Sequence, residues 1–153
     1  MIQEYHQIIE DQETTGVVEK NPAEEDEIKE SETVHYLPHH AVVRSDRETT
    51  KLRIVYDGSA KPPTRSHSLT DCLETGPNCT PQLFDMLRKF RWQRVGVTAD
   101  IEKAFLMIGI KEIDRDMLRF LWFKEPNDLN SELVHYRFAR LVFGLRPSPA
   151  ILS

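Results

Sequence analysis

The residues that could do chemistry centre on position 100. In VTADIEKAFLMI (97–108), Asp100 closes a short alternating apolar run, and a helical pattern starts directly after it. In α/β folds, ligand sites gather at the C-terminal ends of strands. A carboxylate there can bind Mg²⁺, a hard cation that takes oxygen ligands and bridges substrate phosphates. It can also cap the helix that follows, and for one carboxylate taken alone that plainer role is the default. Two-metal phosphoryl transfer needs more, because its ions sit roughly 3.5–4 Å apart and share several carboxylates. Glu102 and Asp114 are near in sequence, but neither has a spacing suited to that task.

Other side chains offer fewer options. Lys51 and Arg53 alternate out of one strand and so share a face. Arg presents a planar fork to phosphate oxygens and Lys a point charge. The competing reading is an edge strand protected by charge. Phe105 reads as a core aromatic or as the wall of a nucleotide pocket. His35, His39 and His40 have no fourth ligand in register, so they do not read as a metal site. Trp92 and Trp122 read as core residues rather than stacking platforms.

The elements that must position these groups follow from periodicity. Ile2, Tyr5, Ile8 and Ile9 recur at helical spacing, and Gly16 is a stop. NPAEEDEIKESE (21–32) has little to bury and reads as an acidic solvated loop. VHYLPHHAVVR and KLRIVYDG read as two strands of a hairpin joined by the polar link SDRETT. TPQLFDMLRKFRW reads as a helix with Thr80 as cap and Pro81 in its first turn. Its apolar face is Leu83, Leu87 and Phe90. RVGVTADI (94–101) reads as a strand and EKAFLMI as a helical turn or bend. EIDRDMLRF reads as a short helix, and LRFLWFK and LVHYRFARLVF as two further strands. FGLRPSPAILS is a Gly turn, two prolines and the start of a helix. Mixed strands and helices give the class α/β (α+β).

The bulk numbers fit one globular domain or part of a larger one: 153 residues, 39% hydrophobic and 29% charged. No apolar run approaches the ~18 residues of a membrane helix, and the N-terminus is polar and acidic. Cys72 and Cys79 make no Cys-x-x-Cys, which points to a reducing, cytoplasmic setting. The net charge of −5 hides an asymmetry. Residues 1–33 carry 11 acidic and 2 basic side chains, net −9; residues 34–153 carry 14 and 18, net +4. The longer part could therefore face a polyanion.

Several strings together resemble the reverse transcriptase of BEL/Pao-type LTR retrotransposons. They are YLPHHAVVRSDRETTKLRIVYDGSAK, SLTDCLETGPN, VTADIEKAFLMIGI with DRDMLRFLWF, and YRFARLVFGLRPSPAIL. They come in the family's order and cover nearly all of residues 34–153. The resemblance implies a right-hand polymerase fold with fingers and a partial palm. Residues 1–33 would be an acidic helix and loop leading into it. The fingers hairpin would span about 35–57, the palm strand with motif A about 94–108, and motif B about 141–153. Arg53 matches the fingers arginine that clamps the incoming triphosphate, with Lys51 beside it. Asp100 matches the first catalytic aspartate, with the Ile101 carbonyl as a second metal ligand. Phe105 matches the aromatic gate that rejects a ribose 2′-OH. Phe143 and Gly144 fall beside the incoming nucleotide.

The implied activity is RNA-directed DNA synthesis with Mg²⁺, a template–primer and deoxynucleoside triphosphates, in a cytoplasmic virus-like particle. The family also needs motif C, a turn with two adjacent aspartates, and this sequence has no Asp-Asp pair. The expectation is therefore a chain that stops within motif B and does not polymerise DNA by itself. Incomplete cover for the Asp100 strand and the 80–92 helix implies marginal stability. The alternatives are a non-catalytic nucleic-acid-binding or interaction protein reusing the fingers, and an inert remnant.

Overall fold

A computed structural model describes residues 1–21, 34–43, 52–61, 67–128 and 130–152. The architecture is α+β, with two antiparallel sheets and short helices. Helix α1 (Ile2–Thr14) turns Tyr5 and Ile9 inward and ends before Gly16 in a left-handed conformation. Strand β1 (Val18–Lys20) follows at once, an element that three residues of alternation are too short to announce.

Strand β4 (Arg119–Phe123) and strand β5 (Leu133–Phe138) form the heart of the molecule, with β5 central in the order β1–β5–β4. Their aromatic side chains make the core. Phe120 and Phe138 are fully buried, Tyr136 stacks on Phe120, and Tyr5 stacks on Trp122 at 4.4 Å. Val18 and Ile9 close the same core. The expected hairpin is present as β2 (His39–Val43) and β3 (Leu52–Tyr56), paired antiparallel with Val42 opposite Arg53. Its link, with Lys51, lies outside the described residues, as do most of the acidic loop and the Arg44 and Arg47 side chains. Residues 35–37 run along β4 through bonds from His35 and Leu37 to Asp116 and Arg119, which ties the hairpin to the sheet.

Charge stitches the sheet from outside. Arg137, almost wholly buried, reaches Glu19 on β1 at 2.6 Å, Asp116 at 3.2 Å and Glu112 at 3.0 Å. Glu112 begins the short helix α4 (Glu112–Arg115), and Asp116 follows that helix. Burial opposes the Arg137 charge, but the bonds to Asp116 and Glu19 outweigh it and raise its pKa.

Three expectations need correction. Residues 94–101 do not form a strand. A strand needs a neighbour for its N–H and C=O groups, and among the described residues none pairs with this segment. Helix α3 (Leu83–Trp92) forms, but it buries none of its residues, and Gln82 rather than Thr80 stands at its start. Trp92 is 82% exposed, not core, while Trp122 is buried as expected. The segment after α3 folds back far enough to lay Gly96 against the Phe90 ring, where a Cβ would lie 2.4 Å from Phe90 Cζ. The short helix α2 (Leu69–Cys72) is also new; Ser68 and Asp71 build a reciprocal cap at its start.

Candidate functional site

A short backbone ladder sets the geometry. Leu141 N–H donates to the Ile108 carbonyl at 2.9 Å, and Ile110 N–H to the Ala139 carbonyl at 2.9 Å. These bonds lock residues 108–110 to the segment after β5. The 3-10 turn Ala104–Met107 directly precedes one arm of the ladder and the turn at 143–144 follows the other. Lys103 enters the 3-10 turn with φ of 52°, a left-handed conformation that redirects the chain.

The ladder brings Phe105 against Phe143, with ring centroids 4.2 Å apart and planes tilted by 57°. Both rings line a cavity of about 340 Å³ together with Gly144, Leu145, Arg146 and Thr70. Gly144 has φ of 89°, which a side chain resists, so glycine suits the turn. Ser148, at the start of helix α5 (Ser148–Leu152), donates from Oγ to the Val142 carbonyl at 2.7 Å and holds the turn from below. The cavity wall that sequence reasoning missed is Thr70. Its Oγ1 is buried without a hydrogen-bond partner among the described residues. The capping signature Ser-x-x-Asp at 68–71 was the signal that could have placed it, because it fixes a helical turn there.

The other candidates stand apart from this cavity. Arg53 is exposed on β3, on the face it shares with Val55. Asp100 and Ile101 lie in an exposed, unpaired segment, with Ile101 69% accessible. Among the described residues, no group of three or more His, Cys, Asp or Glu side chains comes together. One carboxylate and one carbonyl are fewer ligands than a pair of Mg²⁺ ions takes.

His39 has a structural role. Its Nε2 donates to the Leu121 carbonyl at 2.9 Å, which leaves Nδ1 to accept from the Tyr5 hydroxyl. Burial lowers its pKa, against the bond to Leu121. Cys72 and Cys79 are exposed free thiols. No described helix is long and apolar enough to cross a membrane. No protein-family model matches the chain, and no curated protein matches it.

Proposed function

We propose that the chain is the fingers and partial palm of an RNA-directed DNA polymerase from a BEL/Pao-type retrotransposon. The observation that carries this is the meeting of Phe105 and Phe143 over one cavity with Gly144. These residues come from two separate strings of the resemblance. In this reading the cavity takes the sugar and base of an incoming deoxynucleotide, and Phe105 rejects a 2′-OH by volume. Arg53 and Lys51 offset the charge of the triphosphate. Asp100 and the Ile101 carbonyl are this chain's share of the Mg²⁺ ligands. Because the sequence holds no paired aspartates, the chain by itself does not polymerise DNA.

The test is a titration of the ¹⁵N-labelled chain, on a primer–template, with the matched deoxynucleoside triphosphate. Shifts at Phe105, Phe143, Gly144 and Arg53 are expected. A nucleotide that leaves all four unmoved overturns the reading. DNA synthesis by the 153-residue chain with Mg²⁺ would refute the expected inactivity.

A second reading is a non-catalytic nucleic-acid-binding protein derived from such an element. The exposed surface of α3 favours it, where Arg88, Lys89 and Arg91 stand beside Phe84 and Trp92. Cations interleaved with aromatic faces suit single-stranded nucleic acid. That reading expects binding that weakens steeply with salt and is indifferent to Asp100→Asn. A chain that never accumulates as folded protein would instead be an inert remnant.

A further inference from the structure

Helix α3 sets cations between aromatic rings along one face. Phe84, Arg88, Arg91 and Trp92 recur at i, i+4, i+7 and i+8, the spacing that aligns side chains down a helix. They do share one surface: Phe84, Leu87, Arg88, Arg91 and Trp92 line an open groove of about 400 Å³. A second groove, of about 520 Å³, shares Arg88 and Trp92 with it and adds Lys89 and Gln93. Phe84 is 73% exposed and Trp92 82%. None of Arg88, Lys89 and Arg91 has an ion pair among the described residues. Three basic residues against Asp85 give the helix a formal charge of +2. A helix of 10 residues that buries none of them is marginal in water unless something packs on it.

We propose that this face binds single-stranded nucleic acid, with one base stacked on Phe84, another on Trp92, and Arg88 and Arg91 on the phosphates between; this rests on the nucleic-acid-binding reading above and gives it a site. From Phe84 to Trp92 the helix rises about 12 Å at 1.5 Å per residue, room for about three nucleotide steps of 3.4 Å. A base offers its flat face to a side chain only outside a duplex, so the rings select a single strand. Every base has such a face, so they select no sequence. A lipid surface suits this face less, because the arginines stand between the rings and insertion would carry their charges below the headgroups. A second copy also suits it less, since two such faces would set arginine against arginine.

The experiment is fluorescence anisotropy of a labelled ten-nucleotide oligothymidylate, and of its duplex with oligoadenylate, against the full 153-residue chain, with tryptophan emission followed in parallel. The single strand should bind about tenfold more tightly than the duplex and quench the exposed Trp92. Phe84→Ala and Trp92→Ala should each weaken the single strand about tenfold and leave the duplex unchanged. Arg88→Gln with Arg91→Gln should weaken both, and should lower the single strand's slope of log affinity against log salt by about 1.4, at about 0.7 per phosphate contact. None of these side chains is buried, so the variants keep the fold. Single-strand binding that none of the four substitutions changes, or equal affinity for strand and duplex, would overturn this site and leave the nucleic-acid-binding reading standing. No binding of either form would overturn both. Retention on phosphatidylserine vesicles, or a dimer in light scattering, without affinity for the oligonucleotide would give the face to a membrane or to a second copy and overturn the proposal.

Discussion

Phe105 and Phe143 meet with ring centroids 4.2 Å apart, although they leave the chain in different elements. The contact depends on the 108–110 and 139–141 ladder rather than on either element alone. A double-mutant cycle with Phe105→Ala and Phe143→Ala should therefore show a coupling of about 0.5–1.5 kcal/mol. Additive effects would mean that the rings do not touch in solution. On the proposed function, Phe105→Ala should also raise ribonucleotide incorporation in a version of the protein that carries the paired aspartates. Unchanged sugar selectivity would remove the gate from the proposal.

Gly144 holds the turn that presents Phe143. With φ of 89°, Gly144→Ala should cost about 1–2 kcal/mol through backbone strain alone. An added Cβ meets nothing closer than the Tyr56 carbonyl at 3.8 Å, so no clash contributes. Urea denaturation of the variant reads this directly, and a neutral result would mean that the turn relaxes.

The Arg137 network predicts an asymmetry. Asp116 accepts from Arg119 at 2.9 Å and from Arg137 at 3.2 Å. Asp116→Ala leaves two largely buried guanidinium groups short of a partner and should cost about 3–5 kcal/mol. Lys124→Ala breaks an ion pair to Glu132 that is exposed at both ends, and should cost under about 1 kcal/mol. Equal losses in a thermal melt would show that the network is no stronger than a surface pair.

His39 predicts a pH dependence. Its folded pKa lies below the ordinary imidazole value of 6.5, so the unfolded chain takes up the proton first as pH falls. The stabilisation is full above the unfolded value and is lost as pH falls through the folded one. Melting temperature should therefore drop as pH falls below about 6.5, and His39→Gln should flatten that slope. A slope that survives the substitution would assign it to another group.

Helix α3 predicts a solution behaviour. Leu83, Phe84, Leu87 and Phe90 are all exposed, on a helix that buries nothing. Apolar surface on this scale favours self-association. Leu83→Lys with Leu87→Lys should reduce aggregation in light scattering without lowering the melting temperature. A lower melting temperature would show that the face is covered after all. Trp92, 82% exposed, should give a red-shifted emission component that Trp92→Phe removes, leaving the blue emission of buried Trp122.

By itself the sequence determined the elements whose order is carried by local chemistry. The 3.6-residue spacing of Tyr5, Ile8 and Ile9 with Gly16 behind them marks α1, and the β-branched runs mark β2 and β3. The aromatic alternation of 119–123 and 133–138 marks the central pair. Tertiary structure decided what depends on a partner. Alternation at Val95, Val97 and Ala99 is a strand signal, but hydrogen bonds to a neighbour make a strand, and none is supplied among the described residues. The apolar stripe of α3 likewise records a face that helical spacing can create but only a packed surface can bury. Conversely, the three residues of β1 carry no pattern of their own; they become a strand because β5 offers Phe138, Arg137 and Tyr136 to pair with. The junction of Phe105, Phe143 and Thr70 has the same origin, since a cavity wall is a sum of distant segments that no local spacing can register.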